Sequence, residues 1–129
     1  MRKWMLMSLM SLTVLVLGAC QGSGVASVNA DQALELLAND PSIVLLDVRE
    51  FHEHVEVRIE GSALLSLSVI DVLLERRYPD KETTFIVYCR SGRRSAEAIQ
   101  IMVEKGYHNI YDLGGIIDWP YATISGPPS

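Results

Sequence analysis

Cys89 heads the stretch Cys89-Arg90-Ser91-Gly92-Arg93-Arg94-Ser95, where three arginines and a glycine follow a thiol within five residues. The reactive form of cysteine is the thiolate, and positive charge beside it favours that form. The same charges suit an anionic substrate. Ser91-Gly92 can bend the backbone so that successive N–H groups turn inward, and a following helix would add its own unpaired N–H groups and the positive end of its dipole. Free cysteines are often small buried hydrophobes at strand ends. Here the arginine cluster in an otherwise acidic chain favours a nucleophile in an anion cradle.

Spacing narrows the chemistry. A cysteine phosphatase places an arginine six positions after its cysteine, in a cradle wide enough for a tetrahedral phosphate; that position is Ser95, and Arg94 comes one residue early. The loop is therefore of a smaller type. A disulfide oxidoreductase would need a resolving cysteine three positions on, where Gly92 stands. His52 and His54 flank Glu53, but with no third ligand nearby they read as a solvated face rather than a metal site. His108 reads as a loop residue. Asp47 and Arg49 read as a strand-end pair that holds neighbouring loops, and Trp119 as either the pocket mouth or core.

The first nineteen residues carry a different message. Arg2 and Lys3 precede an apolar run from Trp4 to Leu17, and Leu17-Gly18-Ala19 leads into Cys20. A short positive region, an apolar core and small residues before a cut site describe an export signal. Residues 1–19 are thus expected to be a signal peptide. Residues 20–24 follow as Cys20 and a flexible Gln21-Gly22-Ser23-Gly24 tether, and 25–129 form one domain. Removing Arg2 and Lys3 leaves nine basic residues against sixteen acidic ones, a formal charge of about −7 that argues against nucleic acid as a partner. The chain has two cysteines, Cys20 and Cys89; modification of Cys20 at sulfur would leave Cys89 the sole thiol and exclude an internal disulfide.

The elements that must position Cys89 follow from periodicity. Continuous apolar runs at 43–46 and 85–88 predict strands covered on both faces, the second running directly into Cys89. Val25–Val28, Ala63–Leu67 and Asn109–Asp112 predict three more strands. Asn29 with Gln32 three residues on predicts a capped helix start, and Asn39-Asp40-Pro41 its stop. Phe51–Val57 predicts a short helix or turn; Ile70–Tyr78 and Ser95–Lys105 predict helices, the latter closed by Gly106. Leu113-Gly114-Gly115 reads as a turn, and Asp118-Trp119-Pro120 as a one-turn helix or loop. Alternating strands and helices mean an α/β domain with a mainly parallel sheet. Ligands in such sheets bind beyond the carboxyl ends of the strands, which is where Cys89 falls.

Three segments, in order, resemble the rhodanese-like sulfurtransferases: Leu45-Leu46-Asp47-Val48-Arg49-Glu50, Ile86 to Ala96 around the cysteine loop, and Tyr107 to Trp119 with Leu113-Gly114-Gly115. The resemblance implies a three-layer fold with a central five-stranded, mainly parallel sheet. It also implies transfer of a sulfane sulfur from a small anion such as thiosulfate, through a Cys89 persulfide, to cyanide or a thiol. Arg90, Ser91, Gly92, Arg93, Arg94 and Ser95 would line the substrate, with Arg90 and Arg93 meeting the sulfonate and Arg94 an alternative structural pair. No metal or organic cofactor is required, and a monomer is expected. The rival readings are a cysteine-dependent phosphatase and a non-catalytic rhodanese-like binding module. Two departures stand out: Val57-Arg58-Ile59-Glu60-Gly61-Ser62 replaces the family's usual Gly-His-Ile-Pro-Gly-Ala, and Ser66 stands where a proline is common. Leu17-Gly18-Ala19-Cys20 in turn resembles the lipobox of bacterial lipoproteins. That implies a diacylglyceryl group on Cys20, palmitate included, and a lipid anchor on the extracytoplasmic side of a bacterial membrane.

Overall fold

The computed structural model describes residues 24–128. The expected signal segment 1–19, Cys20 and residues 21–23 of the tether lie outside the described residues.

Strand β5 (Thr84–Cys89) is the centre of the domain, and every residue from Phe85 to Cys89 is buried. It is flanked in parallel by β2 (Val44–Asp47) and β6 (Asn109–Gly115); β4 (Ala63–Leu64) lies outside β2, and β1 (Val25–Ser27) outside β6. The sheet order is therefore β1-β6-β5-β2-β4. Side chains alternate across this sheet as the strand period demands. Leu45, Ile86 and Tyr88 face the core under α1 (Ala30–Asn39), whereas Leu46, Phe85, Val87 and Cys89 face the core under α3 (Leu67–Arg77) and α4 (Arg93–Glu104). The result is three layers with helices on both faces.

All five parallel strands end on one edge. Strand order reverses beside β5, since the chain after β5 moves to β6 while β2 and β4 lie on the other side. A crevice at the carboxyl ends of β2 and β5 is the natural ligand site of such a sheet. The short helix α2 (Phe51–Glu56) sits at this edge, between β2 and the two-residue strand β3 (Arg58–Ile59).

The capping box forms as its residues demand, with Asn29 Oδ1 accepting from Gln32 N–H and Gln32 Oε1 accepting from Asn29 N–H, both at 2.9 Å. Several boundaries differ from the sequence reading. The strand expected at Ala63–Leu67 stops at Leu64, and the following helix begins at Leu67 rather than Ile70. The cysteine-loop helix begins at Arg93 rather than Ser95. Leu113-Gly114-Gly115 is not a turn but the end of β6. A second small sheet, β3 with β7 (Thr123–Ile124), was not anticipated.

The two departures from the family pattern are compensated by hydrogen bonds. Arg58 is buried and donates to His54 O at 3.1 Å and Gly126 O at 2.6 Å. Ser62 Oγ donates to Ile59 O at 2.7 Å, and Gly61 takes the turn with φ +82°. Ser66 precedes α3 and donates its hydroxyl to Arg49 O at 2.7 Å.

Candidate active site

The chain leaves β5 at Cys89 and enters α4 at Arg93, so only three residues make the connection. Gly92 adopts φ +103°, a left-handed conformation that residues with a Cβ rarely adopt. That bend aims the Gly92 N–H at Cys89 Sγ, 3.0 Å away. The thiol sits beneath the loop, 1% exposed. Among the described residues, the Gly92 amide is the one backbone donor that hydrogen-bonds the sulfur. At the amino end of α4 it also carries the helix's positive partial charge.

Gly114 and Gly115, expected as a turn, instead end β6 and hold this loop in place. One extra residue, Leu113, bulges out of the β5–β6 ladder, so that Tyr88 pairs with Gly114 and Cys89 with Gly115. The loop then lies directly on Gly115. A Cβ there would sit 2.3 Å from Arg90 O and 2.7 Å from Ser91 Cα, so only glycine fits. Ile117 N–H donates to Arg90 O at 3.2 Å and pins the loop from the same side. Ser95 is buried and turns its hydroxyl to Gly92 O (2.9 Å) and Asp112 Oδ1 (3.2 Å); Asp112 in turn accepts from Gly114 N–H at 2.9 Å.

Helix α2 is keyed into the site at two adjacent residues. Glu53 receives a two-pronged contact from Arg94, with Nη1 2.7 Å from Oε2 and Nη2 2.8 Å from Oε1. The hydrogen bond from Arg94, aided by the Glu50 N–H and opposed by burial, pulls the Glu53 carboxyl down to about 2. Its folded value thus lies below the ordinary 4.5, so the pair's contribution to stability is complete above pH 4.5 and is lost as pH falls through about 2. Urea unfolding across that window should lose on the order of 1–2 kcal/mol from this pair, which water still reaches in part. The same titration of Glu53→Gln should lack that component.

His54 corrects the sequence reading. It is not on a solvated face but 1% exposed, with Nδ1 2.8 Å from Asp47 Oδ2. The reason is long-range: Asp47 at the end of β2 gathers Arg49 Nε (3.0 Å), Arg49 Nη2 (2.8 Å) and the Tyr88 hydroxyl (3.2 Å) about the same buried carboxylate. Burial, with the Asp47 charge, pushes the Tyr88 hydroxyl up to about 12, which keeps it a donor. Asp47 and Arg49 are the structural pair that their position at the strand end implied.

A cleft of about 340 Å³ opens beside the loop. It is lined by Glu53, Glu56 and Val57 of α2 and its end, by Ile116 and Ile117 after β6, and by Arg49 and Arg90, which follow the ends of β2 and β5. Arg90 and Arg93 are exposed and make no side-chain hydrogen bond or ion pair among the described residues, whereas Arg94 is taken by Glu53. Ser91 is exposed on the loop. Trp119 does not line the cleft; it packs on the α1-side core. His52 is exposed, and His108 is an exposed loop residue 3.0 Å from Glu82. A larger cleft of about 470 Å³ lies at the opposite ends of the strands, between Val25 and His108, and is not lined by a cysteine. Glu53, Asp112 and Gly115 were missed as parts of the site because their partners lie far off in the sequence.

Residues 29–121 match the family described as the Rhodanese-like domain. The thiosulfate sulfurtransferase PspE of Escherichia coli is 30% identical over 81 residues, covering 63% of this chain and 78% of its own length. A sulfurtransferase of Allochromatium vinosum is 28% identical over 96 residues, covering 74% of this chain and 88% of its own. Among solved structures, a rhodanese with anions from E. coli superposes with a TM-score of 0.60 at 28% identity, covering 65% of this chain and 99% of that one.

Proposed function

The chain belongs to the rhodanese-like family, and from that premise we propose that it is a sulfurtransferase that carries sulfur on Cys89. The observation that carries this reading is the Gly92 N–H, held 3.0 Å from Cys89 Sγ at the start of α4, with Arg90 and Arg93 left unpaired around it. A fixed amide dipole in that place stabilises sulfur anions before and after reaction, as oxyanion-hole donors stabilise alkoxides.

Two displacements complete the cycle. In the first, the Cys89 thiolate attacks the outer sulfur of thiosulfate; the sulfur–sulfur bond breaks, sulfite leaves with its electron pair, and Cys89 holds a persulfide anion. In the second, cyanide or a thiolate attacks the outer sulfur of that persulfide, and the electron pair returns to Cys89 Sγ. No external oxidant or reductant enters. Arg90 and Arg93 meet the donor's sulfonate, while Arg94 positions α2 through Glu53. The phosphatase reading is disfavoured because Ser95, at the position its arginine would need, turns its hydroxyl into the loop. The binding-module reading is disfavoured by the intact thiol. The test is mass spectrometry of the mature anchored protein in detergent after thiosulfate: gain of one sulfur atom on Cys89, then thiocyanate once cyanide is added. The absence of either sinks the reading.

The enzyme acts as an anchored domain of residues 25–129, with residues 1–19 removed as a signal and Cys20 lipidated in a bacterial envelope. Several buried acyl chains, at about 0.8 kcal/mol per methylene, hold such a protein firmly. Radiolabelled palmitate should label the wild-type protein and not Cys20→Ser; equal labelling would remove the anchor.

A further inference from the structure

Building on the sulfurtransferase reading, we infer that the cleft bordering the loop after Cys89, which Arg90 lines, selects a small thiol bearing both an ammonium and a carboxylate group as its sulfur acceptor, with Glu56 and Arg90 as the recognising pair.

The argument is one of charge accounting inside the cleft. Four charged side chains line it. Two are already neutralised within the protein: Glu53 by the bidentate contact from Arg94, and Arg49 by Asp47 at 2.8 Å. The other two, Glu56 and Arg90, make no ion pair or side-chain hydrogen bond among the described residues, and both are exposed. They carry opposite signs and reach the cleft from different elements, Glu56 from the end of α2 and Arg90 from the loop that follows β5. Val57, Ile116 and Ile117 supply apolar surface between them. A dianion gains from Arg90 but is repelled by Glu56. A molecule with one charge of each sign gains from both.

Glu56 also has no evident structural reason to be acidic. It is the last residue of α2, where the unpaired carbonyls of a helix end disfavour a carboxylate. Arg90, by contrast, is fixed at its backbone, since its carbonyl accepts from Ile117 N–H at 3.2 Å, and only its guanidinium is free to reach a ligand. Donor and acceptor therefore share Arg90 in turn, for a sulfonate and then a carboxylate, and only the acceptor uses Glu56. In the second half-reaction the acceptor thiolate attacks the outer sulfur of the Cys89 persulfide, the bond to Cys89 Sγ breaks and its electron pair stays on Sγ. The acceptor leaves as its own persulfide.

The test charges Cys89 with thiosulfate and follows its discharge by cysteine, by cysteamine (ammonium only), by 3-mercaptopropionate (carboxylate only) and by cyanide. Wild type should prefer cysteine. In Glu56→Gln, kcat/KM for cysteine should fall on the order of tenfold, cysteamine should fall alongside it, and 3-mercaptopropionate should not. An unchanged thermal midpoint shows that the fold is intact. If cysteine is unaffected, or if the preference narrows only because 3-mercaptopropionate improves, Glu56 merely repels anions and the inference is overturned. If no acceptor discharges Cys89, cyanide included, the parent reading falls. The cleft assignment is then decided by S-methylcysteine, which cannot accept sulfur. Saturable amide shifts at Glu56, Arg90 and Ile117 that weaken in Glu56→Gln support it, and their absence overturns it.

Discussion

Cys89→Ser should abolish sulfur uptake from thiosulfate and lower thiocyanate formation by about three orders of magnitude or more, because no other group in the site can take the transferred atom. The substitution is close to isosteric, and the hydroxyl can still accept from the Gly92 N–H that meets Cys89 Sγ at 3.0 Å. The fold should therefore survive, with a thermal midpoint near that of wild type. What is lost is specific: at neutral pH an alcohol in this setting is not ionised, and a serine oxygen cannot form the persulfide link. Intact-mass spectra of both proteins after thiosulfate give the direct comparison. Equal sulfur gain in wild type and variant would place the chemistry elsewhere, and sulfur gain in neither would remove it.

How much of this was legible beforehand depends on how far apart the interacting residues lie. The capping box at Asn29 and Gln32 spans three residues, and the strands ending at Asp47 and Cys89 announce themselves as apolar runs. The cysteine loop was readable for the same reason: its charges, its glycine and its thiol are contiguous. His54 was misread because a polar stretch such as Phe51-His52-Glu53-His54 normally faces water. Its burial is decided by Asp47, on a different element. The Glu53–Arg94 pair spans 41 residues and leaves no local trace. Gly114-Gly115 looked like a turn because adjacent glycines usually make one; here the missing Cβ of Gly115 makes room for the Arg90 carbonyl instead. Strands β3 and β7 have two residues each, too short for any period to show. Local chemistry was visible, the Asp47–Arg49 pair included, and the long-range supports around it were not.

Asp47 gathers His54, Arg49 and Tyr88 about one buried carboxylate, and its removal should be a strongly damaging change to stability. Asp47 is fully buried, and its carboxylate accepts from Arg49 N–H (2.9 Å), Arg49 Nε and Nη2, the Tyr88 hydroxyl, and His54. Burial alone would pull the Arg49 guanidinium down, but its hydrogen bond and charge contact with Asp47 outweigh that and raise it. Asp47→Ala removes the counter-charge and leaves Arg49, whose side chain is 3% exposed, charged and unpaired in the interior. The expected cost is about 3–5 kcal/mol, a large part of the roughly 5–15 kcal/mol that holds a domain of this size together. Urea unfolding should show a lower midpoint with a similar slope. A double variant, Asp47→Leu with Arg49→Met, tests whether the loss comes from the orphaned charge. It should recover most of the stability, because neither half of the pair is then left alone. A single-variant loss below about 1 kcal/mol, typical of an exposed pair, would contradict the assignment. Because α2 carries both His54 and Glu53, Asp47→Ala should also loosen the hold on Arg94 and lower the rate of persulfide formation in the fraction that remains folded.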